Sequence, residues 1–173
     1  MAFTYSKLAE TTVGAGGTAT ITFNNIPQNY TDLILKVSLR AAAATTDQTF
    51  NLKFNGSSAS SYSVKRLYGD GSSAGSDGDT SATSINMYSI PSNGATASTF
   101  GNAEIYIPNY SGSTNKSVSA DVVSENNATR AITDLAAGLW SNTTAINQII
   151  VTVAGTSFMQ HSTATLYGIR VEI

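Results

Sequence analysis

The sequence predicts an all-β domain, a sandwich or barrel of antiparallel strands, and three observations carry that prediction. Apolar and polar residues alternate with period 2 from one end of the chain to the other. Clusters of Gly, Asn, Asp, Ser and Pro separate the alternating runs at the spacing of short strands. The one helix-compatible stretch, Ala41–Ala44, is a short run followed by Thr45 and Thr46 that suits a strand end or loop.

Taken in order, the first run is Thr18–Phe23, entered from the Gly14–Gly17 turn cluster and left through Asn24–Asn29 with Pro27. The clearest follows, where Leu33, Leu35, Val37 and Leu39 interleave with Ile34, Lys36, Ser38 and Arg40, the pattern of a strand with one dry face. Phe50, Leu52 and Phe54 alternate with Asn51, Lys53 and Asn55, and after the Asn55–Ser61 turn region comes Tyr62–Tyr68. Further runs occupy Ser84–Ser89, Ala103–Ile107, Lys116–Val123, Ile146–Ala154 and Thr163–Ile173, so that strand-like segments number nine or ten. Two segments are expected to be long loops. Asp70–Thr83 has no large apolar residue to bury, and Glu125–Thr133 is rich in Asn and Thr before apolar residues resume at Leu135. Residues 1–13 have little core-forming power and are expected to be an N-terminal arm that docks on a neighbour, with residues 14–173 as a single β-sandwich domain; deletion of the arm is expected to leave a folded domain that no longer docks.

At 173 residues the chain is long enough for one compact domain. Its charged fraction of 12% is about half the usual share of roughly 25%, and 23 Ser, 23 Thr, 14 Asn and 14 Gly fill the gap. Disorder does not follow, because aromatic and β-branched residues are spread throughout and the net charge is only −2. With no cysteine and a single histidine, His161, the chain has no disulfide framework, no thiolate nucleophile and no multi-histidine metal site. A pI near 5.2 argues against nucleic acid as a partner. No segment approaches the ~20 apolar residues of a membrane helix, and the first residues lack the form of a signal peptide. A soluble, unprocessed product of the cytoplasm, without cofactor, is the expectation.

The candidate chemistry is sparse. Asp70, Asp77 and Asp79 are the residue type that holds calcium in flexible loops, but their spacing fits no loop consensus and Asp-Gly pairs are also plain turn formers. Glu104 and Asp121 sit between apolar neighbours in strands and read as solvent-facing rather than as the facing acids of a glycoside hydrolase. His161 would have to serve as the only base of any triad, and no Gly-x-Ser-x-Gly motif is present. The expectation is a protein that is not an enzyme. Aromatic residues are more informative, since Tyr and Trp offer flat amphipathic surface for sugars and for subunit interfaces. Trp140 either closes the end of the sandwich or serves as a sugar platform or interface anchor; Phe3, Tyr5 and Tyr68, with Asp70, Asp77 and Asp79, complete the candidate interface or ligand surface.

Three groups of segments resemble a group of bacteriophage virion proteins, the tail-fibre-like and head-decoration proteins with compact β-sandwich domains. The first is Asn25-Ile26-Pro27-Gln28-Asn29-Tyr30-Thr31-Asp32-Leu33-Ile34-Leu35. The second joins Phe54-Asn55-Gly56, Tyr62 and Arg66-Leu67-Tyr68-Gly69-Asp70-Gly71. The third joins Gly138-Leu139-Trp140-Ser141 and Ala145-Ile146-Asn147-Gln148-Ile149 with Thr165-Leu166-Tyr167-Gly168-Ile169. The resemblance spans most of the chain and brings no catalytic residues with it. It implies a jelly-roll-like sandwich in a virion component made in the bacterial cytoplasm, and self-association as a homotrimer or another symmetric oligomer. Without a repetitive shaft in this chain, it favours a decoration or cement protein that stabilises the head by bridging units of the major capsid protein. The alternative it leaves open is a tail-fibre or receptor-binding module that recognises a host-surface glycan.

Overall fold

The structure, a computed structural model, describes residues 3–126 and 131–171. The described residues form strands without helix: β1 (Phe3–Thr12), β2 (Thr20–Phe23), β3 (Asp32–Leu39), β4 (Asp47–Phe54), β5 (Tyr62–Gly69), β6 (Ala74–Ala82), β7 (Ile85–Pro91), β8 (Gly101–Ile107), β9 (Lys116–Glu125), β10 (Ala131–Trp140), β11 (Ile149–Val153) and β12 (Thr163–Val171). Two antiparallel sheets result, an eight-stranded one in the order β1-β12-β3-β8-β9-β10-β5-β6 and a four-stranded one in the order β2-β11-β4-β7. They pack face to face as a β-sandwich.

With the hairpins β5–β6 and β9–β10 set aside, the remaining strands make two sheets of four, β1-β12-β3-β8 and β2-β11-β4-β7. Renumbered along the chain, that order is first-eighth-third-sixth and second-seventh-fourth-fifth, the jelly-roll arrangement. The two hairpins are insertions, one between β4 and β7 and the other between β8 and β11, and together they extend the larger sheet beyond β8.

The core follows the alternation. Leu33, Leu35, Val37 and Leu39 of β3 face Phe50, Leu52 and Phe54 of β4 and Ile149, Val151 and Val153 of β11, all buried. A strand whose inner face meets a second sheet must place an apolar residue at every other position, which is why the sequence pattern located most strands correctly.

Three segments differ from expectation or refine it. The stretch 70–83 is a tight turn followed by β6, paired along its length with β5. It lacks apolar residues because β6 is the sheet edge, and backbone pairing asks nothing of its side chains. Between Glu125 and Ala131 the expected loop shrinks, since β9 and β10 pair at those two residues; positions 127–130 lie outside the described residues. The expected docking arm is, over Phe3–Thr12, the opposite edge strand, hydrogen-bonded to β12 from Phe3↔Val171 to Thr12↔Thr163. Leu8 and Ala9 pack on the core, so this segment belongs to the sandwich.

The segments that carry the virion-protein resemblance meet as packing joints. The Tyr30 ring lies on Gly168, where a Cβ would stand 2.5 Å from its Cγ. Phe54, Tyr62 and Trp140 cluster, Tyr62 and Trp140 stacking at 6.0 Å and 14°. Asn55 adopts φ 52° beside Gly56 at φ 64°, the left-handed pair that an Asn-Gly turn supplies. Its Oδ1 accepts from the backbone N–H groups of Asn147 (2.9 Å) and Gln148 (3.1 Å), and its Nδ2 donates to the Ala145 carbonyl (2.8 Å). Asn55→Ala removes all three bonds and forces alanine into a left-handed conformation, so thermal unfolding should show a loss on the order of 3 kcal/mol.

Candidate interaction surface

One face of the larger sheet packs on the smaller one; the other faces outward, and strand register fixes what it presents. Along one cross-strand row stand Glu10, Thr165, Lys36, Glu104, Asp121, Leu135, Leu67 and Ser76. The next row holds Lys7, Tyr167, Ile34, Tyr106, Ser119, Ala137, Lys65 and Gly78. The face therefore has two halves.

On the jelly-roll half, aromatic and charged groups mix. Tyr5 is 57% exposed beside Ile169. The Tyr106 hydroxyl donates to Asp32 Oδ2 at 2.9 Å, and Asp32 Oδ1 accepts the Asn109 N–H at 2.8 Å. Lys36 Nζ sits 2.8 Å from Glu104, whose hydrogen bond holds the ammonium above its usual pKa. Tyr5, Asp32, Ile34, Glu104, Tyr106 and Ile169 line a depression of about 350 Å³.

The inserted half is apolar. Leu67 (62% exposed) and Leu135 (57% exposed) are cross-strand partners, and Val123 and Leu139 lie open around them. Side chains directly opposite on adjacent strands form one surface. Lys65, Leu67, Ser76, Ser119, Leu135 and Ala137 lie around a depression of about 820 Å³ whose floor is made of the small residues. A further hollow of about 480 Å³ shares Ser119 and Leu135 with it and Glu104 and Tyr106 with the aromatic half, so a shallow trough runs across the sheet.

The residues singled out from sequence fall apart in space. Trp140 is 1% exposed among Phe54 and Tyr62, so it presents no surface to a sugar or a partner; this corrects its place in the candidate ligand surface. Its position in β10 gives it the parity of Ile132, which points inward. Tyr68 lies on the opposite side of β5 from Leu67, with the Arg66 guanidinium 4.5 Å from its ring centroid. Of Phe3 the structure describes only the backbone pairing with Val171, and its side chain lies outside the described residues.

The three loop acids have separate employment. Asp70 Oδ1 accepts the N–H groups of Ser73 (2.7 Å) and Ser72 (2.9 Å), and those bonds hold its carboxyl below the usual range. Asp77 takes a two-pronged contact from Arg66, at 2.5 Å from Nε and 2.8 Å from Nη2. Asp79 accepts a hydrogen bond from the Asn86 amide. No group of three or more His, Cys, Asp or Glu side chains is placed to hold a metal among the described residues. His161 is exposed at φ 73° in a loop, its backbone N–H bonded to the Val13 carbonyl.

Glu104 and Asp121 are cross-strand neighbours, an adjacency that sequence could not disclose. They stand side by side on one open face rather than opposed across a cleft, which is the geometry glycoside hydrolysis needs. The leucine surface was also missed, although a signal for it exists. In Ala131–Trp140 apolar residues occupy both parities: Ile132 and Trp140 point inward, which leaves Leu135 and Leu139 outward. Comparison with protein-family models, with curated proteins and with solved structures finds no match to this chain.

Proposed function

We propose that this chain is a structural protein of a bacteriophage virion, a non-enzymatic decoration or cement protein that stabilises the head by bridging units of the major capsid protein. The observation that carries the reading is the leucine surface on the inserted hairpins, Leu67, Leu135, Leu139 and Val123. The core is already filled from the other face of the same strands, and clustered exposed apolar side chains are the mark of an assembly surface. Burial of such surface returns about 25 cal/mol per Å², so a rigid two-sheet body can tie neighbours together without an active site. The jelly-roll order and the motif resemblance support the same reading, as does a polar, weakly charged exterior.

Immunogold electron microscopy with antibody to the recombinant protein tests it on the particles of the phage that encodes this chain. Label spread over the head is the expected result. Label confined to the tail overturns decoration in favour of the second reading, and particles without label overturn the virion assignment altogether.

That second reading, a receptor-binding module for a host-surface glycan, is favoured by the other half of the face. Tyr5, Tyr106 and Tyr167 stand there with Asp32, Lys36 and Glu104, and aromatic rings with flanking polar groups are how proteins hold sugars.

A further inference from the structure

We infer that the leucine surface of the inserted hairpins is closed by a second copy of this chain, related by a two-fold axis lying in the plane of the face. The inference rests on the reading of that surface as an assembly surface and names its occupant.

Charge placement carries the argument. Lys65 follows Ala137 along one cross-strand row, and Asp121 precedes Leu135 along the next. Lys65 on β5 and Asp121 on β9 are thus diagonal corners of a quadrilateral centred on β10, midway between Ala137 and Leu135. Among the described residues neither is engaged in an ion pair. The charged residues next to them are paired, Lys36 with Glu104 and Arg66 with Asp77 and Asp134, and Glu125 stands farther along the same face of β9, beyond Val123. The positions that flank Leu67 and Leu135 thus hold one cation and one anion at opposite corners.

A two-fold axis in the face, perpendicular to that diagonal and passing through its midpoint, exchanges the corners. Lys65 of each copy then stands over Asp121 of the other, twice per dimer. The same operation interleaves Leu67 and Leu135 of one copy with those of its partner about the axis, and sets Ser119 over Ala137, small against small. An isologous contact requires a patch complementary to itself, and the placement of Lys65 and Asp121 meets that requirement in charge.

The test is the oligomeric state of the full chain by sedimentation equilibrium, with charge reversals as probes. Wild type is expected to be dimeric. Leu67→Asp with Leu135→Asp is expected to be monomeric with an unchanged far-ultraviolet spectrum, because both side chains point away from the core. Lys65→Glu alone and Asp121→Lys alone each place like charges together, and each should weaken self-association more than ~10-fold. A mixture of the two single variants is expected to recover a heterodimer, because both contacts then pair Glu with Lys or Asp with Lys. A monomeric wild type overturns the proposal and leaves the surface to the capsid or another partner. Dimers that survive these substitutions, or a mixture that fails to associate, overturn it as well. None of these outcomes depends on whether label is found on heads, so this proposal and the decoration reading fail separately.

Discussion

Arg66→Ala is expected to lower the thermal midpoint of the isolated protein by about 10 °C, from a loss of about 3–5 kcal/mol at roughly 2–4 °C per kcal/mol for a chain of this size. At Tyr62, Val64 and Trp140 the inner faces of β5 and β10 join the apolar core, but at Arg66, Asp77 and Asp134 the inner positions of β5, β6 and β10 form a charged cluster instead. Arg66 Nη1 donates to Asp134 Oδ1 at 2.9 Å while Nε and Nη2 grip Asp77. The guanidinium lies 3.3 Å from the Tyr88 ring centroid and 4.5 Å from that of Tyr68. The Asp134 side chain is only 2% exposed. Alanine therefore takes the Arg66 guanidinium away from a buried carboxylate and from two aromatic rings, and the lost charge contact accounts for most of the loss. Lysine keeps the charge but not the planar fork, so Arg66→Lys should fall between wild type and alanine. Arg66→Met with Asp134→Leu should recover much of the stability, because it removes both buried charges. An unchanged midpoint for Arg66→Ala would sink this account of the cluster.

The same cluster gives the acid limb of stability a direction. The Arg66 hydrogen bond, more than its charge, holds the Asp77 carboxyl below its ordinary value. A group whose folded pKa is depressed contributes stability that is complete above its unfolded pKa, near 4, and is lost as the pH falls through the folded value. In Arg66→Ala that contribution is absent at every pH. Its stability should therefore fall less steeply than that of wild type below about pH 4.

These residues also show where sequence reading stops. Strands β3, β4, β8, β9, β11 and β12 were legible because each has one face against the core, and that constraint writes apolar residues at alternate positions. In β6 the constraint is absent. Ala-Gly-Ser-Asp-Gly-Asp-Thr-Ser-Ala shows no alternation because its inner positions, Asp77 and Asp79, meet Arg66 and Asn86 instead of a hydrophobic layer. Gly78 holds the pairing to β5 so closely that a Cβ there would stand 2.1 Å from the Val64 carbonyl oxygen. The jelly-roll order was expected from resemblance alone, since turn signals separate strands without saying which strands pair. The site was the least legible part. Leu67 meets Leu135 only because β5 pairs with β10, two strands separated in the chain by four others, and no local pattern carries that register.

Trp140 is where the two readings of an aromatic residue give opposite results. A surface platform for sugar would lose binding on replacement by alanine and keep its stability, because its ring is already in water. The structure places the ring between Phe54, at 5.6 Å, and Tyr62, at 6.0 Å, with the Tyr62 hydroxyl donating to the Phe54 carbonyl and accepting its N–H. Trp140→Ala is therefore expected to cost about 3–5 kcal/mol, the transfer of the ring plus the cavity it leaves. The loss should appear as a fall of about 10 °C or more in the thermal midpoint. Trp140→Phe should cost much less than that. It keeps an aromatic ring against Tyr62 and removes the indole N–H, which is buried without a hydrogen-bond partner among the described residues. Neither variant should change retention on a glycan array at temperatures where it is folded, whereas Tyr5→Ala, on the open face, should change it if the receptor reading holds. A Trp140→Ala protein with wild-type stability and lost glycan retention would return Trp140 to the surface and overturn the aromatic core described here.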